Sequence, residues 1–238
     1  MTAPLWVILP VHDEETSLAA VLGEWLPALR SLGSGFRLLA IDDGSRDRTL
    51  AVLRAWERDH PELAVRTRPN RGHGATCIEG YREAVAAGAE WILQIDSDGQ
   101  CDAGDLDRVW APRHQADALF GLRWRRGDGL GRWLVSRVVS IVVLAASGRW
   151  VPDANVPFRL MRSTALAPVL ERVPPEFTLA NIFVALELTR KTRVAWIPIG
   201  FRDRLGGRSS FRIGRLARQA LDLFRQIRAV ERSRRFAC

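Results

Sequence analysis

Three apolar segments in the first half of the chain each end in acidic side chains, and this pattern constrains the fold more than any other feature. The segments are 5–9, 36–41 and 91–95, and acidic residues follow at 13–14, 42–43 and 96–98. Between them, apolar residues recur at the spacing of amphipathic helices. Strands that alternate with helices predict a largely parallel sheet, whose carboxyl edge collects ligands. We therefore predict an α/β fold with a functional cleft at that edge.

The strongest candidate site is the turn Asp96-Ser97-Asp98-Gly99-Gln100, which follows the third apolar segment. Side chains alternate along a strand, so carboxylates two residues apart are expected to point the same way. Asp96 and Asp98 would then share one divalent cation, and Gln100 would add another oxygen. Oxygen ligands favour Mg²⁺ or Mn²⁺ over zinc, and substrate phosphates usually complete such a site. The alternative is an ordinary Asp/Gly turn.

The length of 238 residues and the hydrophobic fraction of 47% fit one large domain with a substantial core. The net charge of +8 is unevenly placed, because positions 202–238 hold eleven Arg and three acidic residues, and the remainder is formally neutral. This distribution indicates a surface-directed anchor and argues against a nucleic-acid-binding protein. The cysteines show no metal-like spacing, which favours a reduced, cytoplasmic setting.

The C-terminal end is predicted to form a basic amphipathic helix. Such helices commonly lie in the interface of anionic membranes. A helix that packs on the domain, with solvated Arg side chains, is the alternative. The segment 134–146 is a candidate for a second interfacial element. The predicted apolar stripe consists of Ile213, Leu216, Ala217, Ala220, Leu221, Phe224 and Ile227.

Four motifs occur in order along the chain: 10–14 (PVHDE), 42–49 (DDGSRDRT), 70–75 (NRGHGA) and 96–100 (DSDGQ). They resemble the successive motifs of glycosyltransferase family 2, which has the GT-A fold and uses nucleotide-sugar donors. Many members carry Tyr where this chain has His12, and this difference affects which nucleotide base the site is expected to prefer. The resemblance implies that Pro10, His12, Glu14, Asp42 and Asp43 hold the nucleotide, and that Asp96, Asp98 and Gln100 hold the metal.

The second half of the chain resembles the polyprenyl-phosphate branch of that family, which includes dolichyl-phosphate mannose synthases. The motifs that carry this resemblance are 121–123 (GLR), Arg132, 136–140 (SRVVS), 153–159 (DANVPFR) and 204–210 (RLGGRSS). Pro157 stands where Gly is common, and Arg208 lies near a frequent Lys. The resemblance implies that the acceptor phosphate is surrounded by Arg123, Arg132, Arg137, Ser140, Arg204 and Arg208.

The residues also bear on the type of acceptor. A hydroxyl acceptor needs a general base, and family members that act on sugar hydroxyls often carry a Glu-Asp pair for this purpose. This sequence has no Glu-Asp dipeptide and no Gln-x-x-Arg-Trp segment. A phosphate monoester is already ionised at neutral pH and needs no base. It does need cations to overcome its repulsion from the donor diphosphate.

We therefore predict a GT-A domain over residues 1–212, with a mainly parallel, Rossmann-like sheet flanked by helices, and a basic helical tail over 213–238. The predicted reaction is metal-dependent, inverting transfer of a sugar from a UDP- or GDP-linked donor to a polyprenyl phosphate. The enzyme is expected at the inner face of the membrane, attached to its surface or to a membrane partner subunit, without nucleic acid. The candidate catalytic residues are Asp98, Arg123, Arg137 and Asp153.

Three alternatives remain open on the sequence. One is a family 2 enzyme that acts on a non-lipid hydroxyl acceptor. A second is a phosphatase similar to the haloacid dehalogenases, because Asp96-Ser97-Asp98-Gly99 also resembles their Asp-x-Asp-Gly signature, although that signature normally ends in Thr or Ser. The third is a nucleotide-sugar-binding module without chemistry. Hydrolysis of a generic phosphate ester and turnover of a nucleotide-sugar would distinguish them.

Overall fold

The computed structural model of the chain describes residues 4–126, 129–174, 179–205 and 213–235, except for the side chains of 125–126, 129–134, 213–217 and 233–235. Within these ranges the strands are β1 Leu5–Val11, β2 Phe36–Asp42, β3 Leu63–Thr67, β4 Trp91–Gln94, β5 Ala118–Arg126, β6 Arg159–Arg162 and β7 Val194–Phe201. The helices are α1 Leu18–Ser31, α2 Thr49–Asp59, α3 His73–Ala86, α4 Leu106–Trp110, α5 Gly129–Ser147, α6 Ser163–Leu170, α7 Ala180–Lys191 and α8 Ile213–Arg235.

The described strands form one sheet in the order β3-β2-β1-β4-β6-β5-β7. β1 pairs in parallel with β2 and β4, and β2 pairs in parallel with β3. β6 is antiparallel to both of its neighbours, whereas β5 and β7 are parallel to each other. The predicted α/β fold with a mainly parallel sheet is confirmed. The antiparallel strand was not predicted, because β6 has only four residues and an Arg at each end.

Strand β1 lies at the centre of the core. Leu5, Val7, Ile8 and Leu9 are all fully buried. This continuous burial is typical of a parallel strand that is covered on both faces, and it explains why the segment has no alternating polar residues. The core therefore fixes the carboxyl end of β1 next to those of β2 and β4.

The carboxyl ends of these three strands converge at one edge of the sheet, as predicted. The reason given for the Asp96 and Asp98 pair was wrong, however, because β4 ends at Gln94 and both carboxylates lie on the turn that follows. Gly99 in this turn has a left-handed backbone, with φ of 77°. The turn, and not the alternation of a strand, determines where the two carboxylates lie.

Helix α8 packs against α5, so the alternative of a helix packed on the domain applies to its described part. Leu223 and Ile227 are buried, and Glu231 forms an ion pair with Arg190 of α7 at 2.6 Å. The predicted stripe was partly wrong: Leu221 is 48% exposed, and Leu223, which was not included, is buried instead. Because successive residues of a helix are about 100° apart, Leu221 and the buried Leu223 lie on nearly opposite faces of α8. The side chains of 213–217 lie outside the described residues.

Candidate active site

A cavity of about 380 Å³ opens at the carboxyl edge of the sheet. Its lining includes four of the five predicted nucleotide-binding residues and both predicted metal-binding carboxylates. Further lining comes from the turn before α3 and from the segment after β7. These residues are Pro10, Val11, His12, Glu14, Asp43, Asn70, Gly72, His73, Thr76, Asp96, Ser97, Asp98 and Arg204. The fold thus brings together residues from widely separated motifs.

Side chains cross-link the turns after β1 and β2 and so fix one wall of this cavity. The Asp13 amide donates to the Ser45 hydroxyl at 3.0 Å, and the Arg46 amide donates to the Asp13 carboxylate at 2.7 Å. The Glu14 amide donates to the Thr49 hydroxyl at 2.8 Å. Asp13 has a left-handed backbone with φ of 52°, a conformation that these bonds stabilise. Glu14 is therefore held on a rigid turn.

Asp43 organises the turn that leads into α3. Its carboxylate accepts hydrogen bonds from the backbone amides of Arg71 at 2.9 Å and Gly72 at 2.8 Å, and it lies 3.0 Å from the guanidinium of Arg68. Gly44 has φ of 69° and lies so close to Asn70 that a Cβ atom would stand 2.7 Å from its amide nitrogen. Asp43 and Gly44 thus set the position of the 70–74 turn at the cavity.

Asp42, which was predicted to bind the nucleotide, is hydrogen-bonded to its own turn and to the end of β3. Its carboxylate accepts hydrogen bonds from the Ser45 amide at 3.2 Å and from the Thr67 hydroxyl at 2.9 Å. The residue is buried at the end of β2. Asp42 is also the one predicted nucleotide-binding residue that is not among those lining the smaller cavity, and we leave it out of the nucleotide-binding set proposed below.

Asp96 and Asp98 lie in different electrostatic environments. Asp96 Oδ1 lies 3.0 Å from His73 Nε2 and accepts a hydrogen bond from Gln94 Nε2 at 3.1 Å. Burial opposes the charge of Asp96, but His73, Gln94 and Arg159 together outweigh this effect and lower its pKa. Burial and the negative charge of Asp96 raise the pKa of Asp98 to about 6. The two carboxylates therefore resist simultaneous ionisation, and a bound cation would relieve that repulsion.

This turn fits a hard divalent cation that shares its coordination with the substrate. In the part of the chain that the structure describes, no group of three or more His, Cys, Asp or Glu side chains could hold a metal ion alone. Asp96 and Asp98 would supply two oxygens, and donor phosphates and water would complete the shell. Gln100 is buried, and its amide nitrogen donates to the Arg202 carbonyl at 3.0 Å. That bond ties the turn to the segment after β7.

A buried hydrogen-bond network supports Asp96, and the sequence analysis did not identify it. Tyr81 donates its hydroxyl to Gln94 Oε1 at 2.7 Å, and Asn181 Nδ2 donates to the same oxygen at 3.2 Å. Gln94 in turn donates to Asp96. A satisfied network of this kind fixes the orientation of its members. The available signal was Gln94 itself, a polar residue inside an otherwise apolar strand.

A second, larger cavity of about 1030 Å³ adjoins the first. The two cavities share Gly72, His73 and Asp96 in their linings. The rest of the larger cavity is formed by α3, by the loop that carries Asn155 and by the start of α7. Asp96 therefore stands between a cavity lined by the predicted nucleotide site and a larger cavity next to it.

Arg159 holds the wall of the larger cavity together, and it too was missed. It is fully buried, and its guanidinium donates to the carbonyls of Ala154 at 2.7 Å, Val156 at 2.6 Å and Asn181 at 2.6 Å. Arg159 thereby links the loop before β6 to the first turn of α7. It was quoted within a motif, but nothing in the sequence indicated that its charge would be buried against backbone carbonyls.

Arg123 and Asp153, both predicted to be catalytic, are in direct contact. Arg123 Nε donates to Asp153 Oδ2 at 2.7 Å, and Nη2 donates to Oδ1 at 2.5 Å. Arg123 Nη2 also lies 3.2 Å from the hydroxyl of Ser136 on α5, and its guanidinium lies 5.0 Å from the ring centre of Phe201. Arg137 follows Ser136 on the same helix and is half-buried. Arg123 thus contacts the residue that directly precedes Arg137 on α5.

The other predicted phosphate ligands are distributed differently. Ser140 is fully buried, and its hydroxyl lies 3.1 Å from two carbonyl oxygens, those of Ser136 and Pro152, either of which accepts its hydrogen bond, so we leave it out of the proposed acceptor set. Arg204 lines the smaller cavity, where it forms an ion pair with Glu14. The side chain of Arg132 and all of Arg208 lie outside the described residues.

Helices α5 and α8 expose apolar side chains close to arginines. On α5, Ile141 and Leu144 are exposed one and two turns after Arg137. On α8, exposed Leu221 lies between exposed Arg218 and Arg225. Among the described helices, none combines the length and apolar character that crossing a membrane requires. The exposed residues are thus arranged as short apolar patches beside positive charge.

Comparison with known proteins gives related sequences over most of the chain. A curated relative, the undecaprenyl-phosphate 4-deoxy-4-formamido-L-arabinose transferase of Salmonella paratyphi B, is 27% identical over 223 residues. The match covers 91% of this chain and 65% of the relative. The same transferase from Salmonella newport gives the same values. The chain thus spans about two thirds of the length of these relatives.

Solved structures show the same fold at low sequence identity. Glucosyl-3-phosphoglycerate synthase from Mycobacterium tuberculosis, in complex with Mn²⁺, UDP and glucosyl-3-phosphoglycerate, has a TM-score of 0.67 at 19% identity. That match covers 95% of this chain and 80% of the synthase. TarS of S. aureus, residues 1–349, has a TM-score of 0.56 at 19% identity, over 81% of this chain and 57% of TarS. The predicted GT-A fold is confirmed.

A sequence model of the family described as glycosyl transferase family 2 matches residues 6–167. This range contains all four motifs on which the family resemblance was based, together with Arg123, Arg137 and Asp153. It also contains the Asp96–Gly99 turn, so the resemblance of that turn to a phosphatase signature is set aside. More than half of the chain lies within the match, and the chain therefore belongs to glycosyl transferase family 2.

Proposed function

We propose that the protein transfers a sugar from a nucleotide-sugar donor to a polyprenyl phosphate, with a divalent metal and with inversion at the anomeric carbon. The observation that carries this proposal is the position of Asp96, which lines both cavities. A metal-bound diphosphate in the smaller cavity would place the donor's sugar at the entrance to the larger one. The leaving group and the site of attack would then lie on opposite sides of this turn.

The donor site would use the rigid turns described above. Pro10 and His12 would face the base and ribose, and Glu14 and Asp43 would complete the nucleotide site. Asp96 and Asp98 would hold Mg²⁺ or Mn²⁺, whose charge would stabilise the leaving diphosphate. The structure of the mycobacterial synthase contains Mn²⁺ and UDP, which supports a divalent metal and a nucleotide here.

The acceptor phosphate would be held by Arg123 and Arg137. The names of the curated relatives contain undecaprenyl phosphate, and guanidinium groups suit a phosphate monoester because their charged N–H groups bind its oxygens. Because Nε and Nη2 of Arg123 bind Asp153, Arg123 would contribute mainly its positive charge. Asp153 would keep Arg123 in place. A phosphate nucleophile needs no general base. Glu79, a carboxylate that lines the larger cavity, already forms an ion pair with Arg68 at 2.6 Å, and this agrees with a reaction that uses no base.

The lipid part of the acceptor would lie along the exposed face of α5. Arg137, Ile141 and Leu144 follow one another at helical spacing on that face. A prenyl chain whose phosphate lies at Arg137 could therefore run over Ile141 and Leu144. The exposed arginines of α8 would add attraction to anionic lipid headgroups. We accordingly propose that the protein works at the inner surface of the membrane, either directly or through a membrane partner subunit.

Incubation with a panel of UDP- and GDP-sugars, a short-chain polyprenyl phosphate and Mn²⁺ tests the proposal, with products identified by mass spectrometry. We expect the wild type to form one product, a sugar linked to the polyprenyl phosphate, and we expect Asp98→Asn not to form it. Efficient transfer to a prenyl alcohol would support the alternative of a hydroxyl acceptor. Donor binding without turnover of any acceptor would support a binding module. NMR of the product's anomeric proton would test inversion.

A further inference from the structure

The segment after β7 folds back over the turn that carries Asp96 and Asp98. The Arg202 amide donates to the Gln100 carbonyl at 2.9 Å, and the Leu205 amide donates to the Asp98 carbonyl at 3.1 Å. Gln100 Nε2 donates in return to the Arg202 carbonyl at 3.0 Å. We term residues 202–205 the strap. Its backbone is fixed to the carboxylate turn at both ends.

Gly99 allows this close contact. The Leu205 side chain lies directly against it, and a Cβ atom at position 99 would collide with that side chain. The positive φ of Gly99 further disfavours any other residue. Leu205 of the strap therefore packs on the one residue of the turn that has no side chain. With Leu205 in this position, the side chain of the preceding residue, Arg204, lies in the smaller cavity.

Arg204 lies among the acidic residues of that cavity. Its Nη2 is bonded to Glu14 Oε1, and its Nε lies 4.0 Å from Asp98 Oδ2. Glu14 is only 3% exposed, and a buried carboxylate without a partner is costly. The guanidinium thus supplies positive charge in the region where, under the proposed function, a divalent cation and a diphosphate bind.

We infer that Arg204 is an internal counter-ion of the donor site, which it holds by pairing with Glu14, and that it competes electrostatically with the divalent cation at Asp98. This inference rests on the proposed function, because it takes Asp96 and Asp98 as the metal-binding pair. A cation at Asp98 and a guanidinium beside the same carboxylate repel each other, so each weakens the binding of the other. A nucleoside diphosphate changes this balance, because its oxygens give the guanidinium a new anionic partner.

The consequence is that the metal and the nucleotide bind cooperatively. Without nucleotide, a metal ion at Asp98 has to bind against the positive charge of Arg204, 4.0 Å from that carboxylate, and binds weakly. With nucleotide, Arg204 engages the diphosphate and no longer opposes the metal. The coupling is reciprocal, so the metal must improve nucleotide binding by the same factor as the nucleotide improves metal binding.

Arg202 provides a matched control on the same strap. Its guanidinium lies 2.7 Å from both carboxylate oxygens of Glu24, on α1, and it is not among the residues that line the smaller cavity. Replacement of Arg202 by Gln removes one positive charge from the strap, as replacement of Arg204 does. It leaves the charge beside Asp98 in place.

The test is calorimetric titration of Mn²⁺ into the full chain, without nucleotide, for the wild type, Arg204→Gln and Arg202→Gln. Arg204→Gln should bind Mn²⁺ about tenfold more tightly than the wild type, which corresponds to about 1.4 kcal/mol. Arg202→Gln should bind like the wild type. Titrations in the presence of UDP or GDP should abolish the advantage of Arg204→Gln. Equal or weaker binding of Mn²⁺ by Arg204→Gln would overturn the inference.

Two further results separate the inference from the proposed function. Absence of Mn²⁺ binding in all variants, with and without nucleotide, would refute the metal site and the inference together. Mn²⁺ binding with the same affinity in all variants would refute the inference alone. Arg204→Lys keeps the charge and should bind Mn²⁺ like the wild type. Circular dichroism checks folding, and if Arg204→Gln does not fold, Arg204→Met is compared with Arg204→Lys under the same criteria.

Discussion

Arg123 and Asp153 form a two-point salt bridge that joins strand β5 to the loop before β6. The two hydrogen bonds measure 2.7 and 2.5 Å, and the side chains are only 10% and 5% exposed. Buried charge pairs of this kind contribute little net stability but are costly to break on one side only. Comparison of a single substitution with a double substitution therefore distinguishes the effect of Asp153 on stability from its effect on the proposed reaction.

Asp153→Ala should destabilise the protein by about 3–5 kcal/mol, because it removes the carboxylate that forms a salt bridge with the buried Arg123 guanidinium. The free energy of unfolding in urea measures this change. The double variant Arg123→Met/Asp153→Leu removes both charges and should recover most of the lost stability. It should remain inactive toward polyprenyl phosphate, while its affinity for the nucleotide stays at the wild-type level. A fully active double variant would show that neither residue acts in transfer.

The metal dependence of the reaction provides a second prediction. EDTA should abolish transfer, and Mg²⁺ or Mn²⁺ should restore it. Asp98→Asn should bind the donor more weakly in the presence of the metal, with no change in its circular dichroism spectrum. Full activity of the wild type in EDTA would contradict the proposed role of Asp96 and Asp98.

The raised pKa of Asp98 predicts how metal binding depends on pH. A proton on Asp98 must leave before the cation binds, so Mn²⁺ affinity should be full well above pH 6 and should fall as the pH drops through about 6. Below that value, each further pH unit should cost up to about tenfold in affinity, because one proton competes with the metal. Calorimetric titrations at pH 5, 6 and 7.5 measure this. An affinity that does not change over this range would exclude Asp98 as a ligand.

Arg159 is the subject of a fourth prediction. Arg159→Met would leave three buried carbonyls without their donor, and each such loss costs about 1–3 kcal/mol. We therefore expect one of the largest stability losses of any single substitution in this chain, measured as the free energy of unfolding. Arg108→Met is the control, because Arg108 is an exposed residue of α4 and such changes usually stay within about 0.5 kcal/mol. Equal stability of the two variants would contradict a structural role for Arg159.

The first half of the fold could be predicted because its signals are local. Apolar strands that end in acidic turns reveal both the parallel sheet and the edge where ligands bind. The position of Asp96 and Asp98 followed from the same pattern, although the turn geometry did not. A turn of this type depends on Gly99 and on its contact with Leu205, which lies more than 100 residues away.

The second half was less predictable because its contacts are long-range. Arg159 and Asn181 reveal their roles only when the loop before β6 meets the start of α7. Arg204 was assigned to the acceptor phosphate by resemblance, whereas the fold places it beside Glu14, 190 residues earlier in the chain. A charged side chain that becomes buried needs a partner. The sequence does not show which partner this is, because the topology of the fold decides it.

The last prediction concerns the exposed surface of α5 and α8. Helix α8 buries Leu223 against the domain and exposes Leu221 together with Arg218 and Arg225. These three exposed residues are the ones that we expect to contact the membrane. Each basic residue close to anionic lipid contributes about 1 kcal/mol. Arg218→Gln/Arg225→Gln should therefore lower the partition onto anionic vesicles at low salt, measured by sedimentation. Deletion of α8 is a poorer test, since it would also uncover α5.

Salt and apolar substitutions distinguish the contributions to this binding. High salt should release most of the wild-type protein, because the Debye length falls to about 3 Å at 1 M. Ile141→Glu/Leu144→Glu should reduce binding at all salt concentrations, because the apolar contact of α5 does not depend on ionic screening. Arg108→Gln, on α4, should bind like the wild type. Sedimentation that is unaffected by salt and by both double variants would show that another surface of the chain contacts the lipid. Absence of sedimentation of the wild type would instead leave recruitment to a membrane partner subunit.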